Sequence, residues 1–357
     1  MEATQTIIIN RIIATALKRK AADLHLSVGN NPVLRIDNKL HVLAEEEIIT
    51  KDFLDNLAKG LLSGKELKEL ESTRGISVAH DYGNQVRFRI NIFYQKNFLN
   101  FSFRFVAPVI PLIKNLGIPK TVLDLVNISE GLVIVGGPYD SGKTTTVFAL
   151  LEEINKKQQR YILTIEKPIE FLMSSNRSIV VQRDIPKDAR NYEEALDFCA
   201  NEDVDIIMLD KLDISCDVLM KVFDLASSGR LVIGIMNEES VIGIIDKILS
   251  NFMIQDRSRA RYLFANCLEC VLAQKLVPRI GGGRILVPEI LLATEPVKAI
   301  IKEDKTYQLN NILQTSREEG MRGIDRSLAE LAGAGEISID DAINYANNKE
   351  GFKRMLR

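Results

Sequence analysis

Residues 137–144 read Gly-Pro-Tyr-Asp-Ser-Gly-Lys-Thr, and this stretch constrains the fold more than any other in the chain. An apolar run, Leu132-Val133-Ile134-Val135, precedes it, and a helix-forming stretch, residues 145–157, follows. A strand, a glycine-bearing turn and a helix in that order gather backbone N–H groups and a helix N-terminus around one point, where an anion is stabilised. In that setting G-x-x-x-x-G-K-[ST] reads as a phosphate loop. Lys143 is expected to reach the β/γ oxygens of a nucleotide and Thr144 to ligate Mg²⁺. The expected nucleotide-binding set is Gly137, Ser141, Gly142, Lys143, Thr144 and Thr145, with Mg²⁺ beside the nucleotide.

The 357 residues are long for one core and comfortable for two. With 46% hydrophobic and 26% charged residues the composition is that of an ordinary globular protein. A formal net charge of −2 gives no global electrostatic reason to expect nucleic acid as a partner. No apolar run approaches the ~18 residues of a membrane span. The start, Met-Glu-Ala-Thr-Gln, lacks the basic and apolar regions of a signal peptide. The 4 cysteines suit a reducing compartment. The chain reads as cytoplasmic, peripheral to a membrane at most.

Hydrophobic periodicity divides the chain. Residues 5–22 and 51–70 have helical spacing; 24–27, 33–36 and 39–42 look like short strands; 86–93 and 100–105 alternate like paired strands. This α+β pattern ends at Pro108-Val109-Ile110-Pro111, which reads as a linker. Beyond it apolar strands (132–135, 162–165, 206–209, 231–235) alternate with helices, the signature of a mainly parallel sheet covered by helices. Residues 279–284 look like a hairpin tip, and the tail after Met321 reads as helical and polar. The expected division is an N-terminal α+β domain over residues 1–106, a linker over 107–119, and an α/β phosphate-loop domain with C-terminal helices over 120–357.

The order of these segments resembles the PilT-type ATPases, the retraction motors of type IV pili within the secretion-ATPase superfamily. The resemblance is carried by Ala22-Asp23-Leu24-His25-Leu26-Ser27, Arg87-Phe88-Arg89-Ile90-Asn91 and Phe103-Arg104. It continues through the phosphate loop, the acidic stretch Glu166-Lys167-Pro168-Ile169-Glu170, Gln274-x-Leu276-Val277-Pro278-Arg279, Gly281-Gly282-Gly283-Arg284 and Glu289-Ile290-Leu291-Leu292-Ala293-Thr294. Residues 296–303 resemble the segment linked in that family to retraction. The resemblance implies a PAS-like first domain, a RecA-like second domain and a six-subunit ring, homo- or hetero-hexameric, with nucleotide between the domains. It also implies an inner-membrane pilus platform protein as partner. Arg89 and Arg104 match motif arginines that reach the nucleotide in the family, where a guanidinium can fork onto phosphate oxygens.

The departures fall on chemistry. The fourth phosphate-loop position, normally glycine, is Asp140; aspartate tolerates left-handed backbone. Its carboxylate either points inward, repelling polyphosphate, or faces solvent. The acidic stretch has Lys167 where the family has aspartate, leaving Glu166 as the best candidate for positioning metal or water. After the strand 206–209 the family has Gly-Glu. A gapless reading puts Lys211 at the glutamate, whereas one inserted residue puts Asp210 there. Lysine accepts no proton from water at neutral pH. The family's two histidines read Arg230 and Asn237, and an asparagine carries no proton charge.

Together these substitutions predict impaired or lost ATP hydrolysis, since phosphoryl transfer depends on positioned charge. The leading expectation is therefore an ATP-binding paralogue with degenerate motifs, an accessory beside an active PilT-type paralogue. A working retraction motor using Glu166 and Asp210 is the rival, and a scaffold without nucleotide the weaker third. Among remaining features, Cys267-Leu268-Glu269-Cys270 reads as core packing within a helical run over 259–276, because a metal site needs about four ligands. Cys199 and Cys216 read as buried thiols, and His25 as structural.

Overall fold

A computed structural model describes residues 3–36, 39–82, 86–106 and 110–355. Its internal contacts form two compact units, Met1–Val109 with Pro168–Leu172, and Ile110–Lys167 with Met173–Arg357. Of the expected linker, residues 107–109 lie outside the described residues, and the chain from Ile110 clusters with the second unit, where Ile113 is buried.

The first unit runs α1 (Ala3–Lys18), β1 (Asp23–Ser27), β2 (Val33–Ile36), β3 (Lys39–Val42), α2 (Lys51–Leu61), α3 (Gly64–Thr73), β4 (Gly75–Tyr82), β5 (Val86–Gln95) and β6 (Phe98–Val106). The strands form an antiparallel sheet in the order β3-β2-β1-β6-β5-β4. Alternate residues Leu24, Leu26, Phe88, Ile90, Ile92, Phe101 and Phe103 are buried against Ile9, Ile12, Ile13 and Ala16 of α1 and Leu54 and Leu57 of α2. This pairs the two-residue period of strands with the helical repeat. The helix expected over 51–70 is broken: Leu62 is extended, and Ser63 and Glu66 form a capping box that starts α3. The helix expected over 5–22 stops at Lys18, with Lys20 in the left-handed region at φ 53°. β4 was not foreseen in the sequence.

The second unit runs α4 (Lys120–Leu123), β7 (Gly131–Gly136), α5 (Lys143–Lys157), β8 (Tyr161–Glu166), β9 (Ile179–Asp184), α6 (Tyr192–Asn201), β10 (Ile206–Leu209), α7 (Cys216–Ala226), β11 (Leu231–Met236), α8 (Val241–Ser250), α9 (Ile254–Cys267), β12 (Leu268–Pro278), β13 (Arg284–Leu292), α10 (Glu295–Lys302), α11 (Leu309–Thr315), α12 (Ile324–Gly333), α13 (Ile339–Tyr345) and α14 (Lys349–Met355). Its sheet order is β13-β12-β7-β11-β10-β8-β9, parallel throughout except for the β12–β13 hairpin. Every residue of β7, β10 and β11 is buried, which is why these strands are continuous apolar runs rather than alternating ones.

Two expectations are corrected here. The run 259–276 is not one helix: α9 ends at Cys267, and Leu268 opens β12, which is hydrogen-bonded to β7 on one side and β13 on the other. Tertiary pairing overrides local pattern at that point. The tail is helical but not simply polar: Ile324, Leu328, Ala342 and Phe352 close a small core over Val277 and Val287 of the hairpin.

Candidate nucleotide site

The phosphate loop joins the C-terminal end of β7 to α5. Its turn needs left-handed backbone at Gly137 (φ 153°), Asp140 (φ 62°) and Gly142 (φ 82°). A Cβ on Gly137 would stand 2.3 Å from the Gln274 carbonyl oxygen and 2.4 Å from Ser141 Oγ, so the loop closes only around a glycine. Gly142 is the N-cap of α5 and offers no side chain to close the helix end. Ser141 Oγ is buried without a hydrogen-bond partner among the described residues. A glycine-lined turn, an uncapped helix N-terminus and an orphaned buried hydroxyl fit a phosphate group. The Lys143 ammonium is buried in the loop and donates to the carbonyls of Gly137 (3.0 Å) and Pro138 (2.7 Å). Thr144 and Thr145, in the first turn of α5, are half-buried.

The hairpin braces this loop from behind. Gln274 of β12, fully buried, donates Nε2 to the Ser141 carbonyl at 2.6 Å. Arg284, the first residue of β13, donates Nη1 to Asp140 Oδ2 at 2.7 Å and to the Asp140 carbonyl at 3.3 Å. The Asp140 carboxylate is therefore an ion-pair partner of the hairpin, an arrangement neither sequence alternative described. Gln274 and Arg284 lay within stretches that carried the resemblance, but nothing local marked them as holding the loop.

Glu166 ends β8 and Asp210 follows β10 directly, where its N–H donates to the Ile165 carbonyl at 3.2 Å. The two acidic candidates thus stand at the ends of adjacent strands. Leu163 and Ile165 belong to the core that includes α6, α7, α8 and α9, so by alternation Thr164 and Glu166 turn to the other face. There Glu166 is 1% exposed, and its Oε1 accepts from Thr164 Oγ1 (2.7 Å) and Gln182 Nε2 (3.0 Å). Asp210 is held at both oxygens, accepting from the Tyr192 hydroxyl (2.7 Å) and the Lys167 N–H (2.8 Å). Lys211 and Lys167 are exposed, whereas the next residue, Leu212, is fully buried against Gly234. Tyr192 carried no signal in the sequence.

The two positions at which the resemblance leads one to expect histidine separate. Asn237 follows β11 at the phosphate-loop end, since Met236 is in register with Gly136, and it is exposed. Arg230 precedes β11 at the opposite end, seven residues away along a strand rising ~3.3 Å per residue, or about 23 Å. Its substitution therefore bears on chemistry at the loop no more than any distant change does. Its guanidinium instead donates to Ser228 Oγ and the Glu202 carbonyl.

In the first unit Arg89 donates to Glu170 Oε1 at 3.0 Å, within the segment Pro168–Leu172 that packs there. Arg104 donates to Asp23 Oδ1 at 2.9 Å, and Arg35 lies 3.8 Å from the same buried carboxylate. His25 Nδ1 is 3.2 Å from Ser102 Oγ, and burial holds its pKa below the usual histidine value. Cys267 and Cys270 are buried, and desolvation pushes both thiols up to about 12, as expected of packing residues. Cys199 is buried too, at about 11, while Cys216 is partly exposed rather than buried.

Residues 2–282 match the Type II/IV secretion system protein family. The chain belongs to that family. It is 30% identical over 344 residues to the type IV pilus retractation ATPase PilT of Pseudomonas aeruginosa, covering 96% of this chain and 99% of that one. It is 28% identical to a twitching motility protein of Neisseria gonorrhoeae, over 90% of this chain and 86% of its relative. The crystal structure of the pilus retraction motor PilT with bound ADP superposes with a TM-score of 0.83 at 30% identity, covering 96% of this chain and 98% of that one. The α/β fold with its N-terminal domain is thus that of PilT, and the chain is a PilT-like member of the pilus and secretion ATPases. No described helix is long and apolar enough to cross a membrane.

Proposed function

We propose that this protein binds ATP with Mg²⁺ at the phosphate loop, hydrolyses it poorly or not at all, and serves a type IV pilus or related secretion machine as an accessory or regulatory subunit. Gly137, Ser141, Gly142, Lys143, Thr144 and Thr145 would hold the phosphates, and Thr144 the metal. Bound Mg²⁺ would neutralise phosphoryl charge. In this reading the subunits form a hexameric ring, alone or mixed with an active PilT-type paralogue, at an inner-membrane platform protein. The likeness to a motor solved with ADP supports nucleotide binding here.

One observation carries the proposal of impaired hydrolysis. Of the two residues that can stand at the water-activating position, Lys211 is a cation exposed to solvent, and Asp210 already spends both oxygens on Tyr192 and Lys167. A carboxylate anchored twice has little freedom to orient water. The exposed Asn237 cannot supply the proton or charge of a histidine.

The second reading is an active motor driving pilus retraction. It is favoured by Glu166, a buried carboxylate held rigid by Thr164 and Gln182 at the same C-terminal end of the parallel strands as the loop. ATP binding and phosphate release measured on one purified sample, with Lys143→Ala as control, separate the readings. Binding without release supports the accessory role; release that vanishes in the control establishes the motor.

A further inference from the structure

The phosphate loop carries an acidic residue at a point where it must attract a polyanion, and Arg284 of the hairpin offers a cation to that residue. We propose that Arg284 is a positioning residue for nucleotide affinity: its ion pair with Asp140 supplies the counter-charge that lets this loop accept phosphate. The inference rests on the nucleotide reading of the loop and adds what sets its affinity.

Three features support it. First, Asp140 is held by the backbone. Its φ of 62° and its place between Tyr139 and Ser141 fix where the Cβ leaves the loop, so the carboxylate cannot withdraw far without altering the turn. Second, one Arg284 nitrogen reaches the Asp140 carboxylate and the Asp140 carbonyl together, which ties charge neutralisation to the shape of the loop. The two side chains are only 25% and 30% exposed, so water screens the pair less than it would a surface contact. Third, Arg284 is itself anchored. It pairs with Pro278 in the β12–β13 register, directly after Gly281, Gly282 and Gly283, and the Arg279 N–H donates to the Gly283 carbonyl at 3.0 Å. Gln274 of the same hairpin holds the next loop residue, Ser141, by its carbonyl. The hairpin therefore presents one neutral and one cationic contact to successive residues of the loop.

If Arg284 acts by cancelling Asp140, its value must disappear when the aspartate charge is removed. The test is a double-mutant cycle read by calorimetric titration of the full chain with ATP and Mg²⁺, using Arg284→Gln, Asp140→Asn and the pair; asparagine keeps the side-chain shape and tolerates left-handed backbone. Arg284→Gln alone is expected to weaken binding about 30-fold, the loss of one charge-assisted contact and the repulsion it masked. Asp140→Asn is expected to bind as well as the unsubstituted chain or better, and the double variant to fall within about threefold of Asp140→Asn.

Because Arg284→Gln also removes the tie between hairpin and loop, Arg284→Lys is measured beside it. Lysine keeps the charge without the planar fork, so binding within about threefold of the original is expected. An equal loss in both Asp140 backgrounds, no loss at all, or a lysine variant as weak as the glutamine one overturns the inference. Absence of Lys143-dependent binding in the unsubstituted chain overturns the nucleotide reading itself, and this inference with it. Binding with an additive cycle overturns only the role of Arg284.

Discussion

The phosphate loop and the acidic residues after β8 and β10 lie at the C-terminal end of the same parallel strands, but the first is built from backbone and the second from side chains. The loop needs glycine at Gly137 and Gly142, a helix N-terminus and one lysine, and these are all in place. Its one foreign residue, Asp140, is absorbed by a partner from the hairpin. At the carboxyl ends of the strands, the groups that would direct water are individual side chains, each set by its own partners: Asp210 by the Tyr192 hydroxyl and the Lys167 backbone N–H, Glu166 by Thr164 and Gln182. Binding by backbone tolerates side-chain change, because N–H groups persist whatever the residue. Hydrolysis by positioned charge does not, because moving one group by an ångström loses most of its effect.

Four variants test that contrast, beginning with the largest effect. Gly137→Ala places a methyl 2.3 Å from the Gln274 carbonyl at a backbone angle alanine avoids. It should cost about 3 kcal/mol of stability and abolish ATP binding; a normal unfolding curve with normal affinity would show that the loop is not shaped by glycine. Lys143→Ala should weaken ATP binding about 100-fold by calorimetry while leaving the fold intact. An unchanged affinity would favour a scaffold that holds no nucleotide.

Asp210→Ala probes the other end. Losing the hydrogen bonds from Tyr192 and Lys167 should lower stability by about 1–2 kcal/mol, with phosphate release no different from that of the unsubstituted chain. A steep fall in release would make Asp210 catalytic and remove the contrast. The smallest effect concerns the strand that bears Arg284. Glu289 is buried there and accepts the Val241 N–H of α8 at 2.8 Å, and burial raises its pKa above the ordinary 4.5. A raised folded-state value means its contribution to stability is complete below about pH 4.5 and is lost as pH rises through the folded value. Glu289→Gln should therefore flatten the pH dependence of unfolding above pH ~4.5. A curve that stays parallel to the original would show that the buried carboxylate carries no such penalty.

Much of the fold was legible because it is written in local pattern. The strands 206–209, 33–36 and 39–42 match their expected limits, and 132–135 differs from β7 by one residue at each end. The misses have physical causes. The stretch 51–70 keeps helical spacing across a break that a capping box creates, and 259–276 keeps apolar character across a change from helix to strand that only pairing with β7 and β13 imposes. In the site, the loop residues could be named from the motif, and the doubt over Lys211 and Asp210 could be stated. The partners that decide their chemistry could not be named, since Tyr192 and Gln182 belong to no recognisable pattern. Arg230 shows the converse: the resemblance sets it beside Asn237 as a histidine position, yet strand direction puts the two at opposite ends of β11.

The sequence alone determined the phosphate loop, the parallel sheet that carries it and the kinship with PilT, because glycine placement, apolar runs and helix signals act over a few neighbouring residues. Tertiary structure alone decided how the charges are spent. The Arg284 guanidinium reaches Asp140 across 144 positions of chain, and the Lys167 backbone N–H reaches the Asp210 carboxylate across 43. Coulomb attraction and hydrogen bonding depend on distance in space, and no spacing along a sequence measures that.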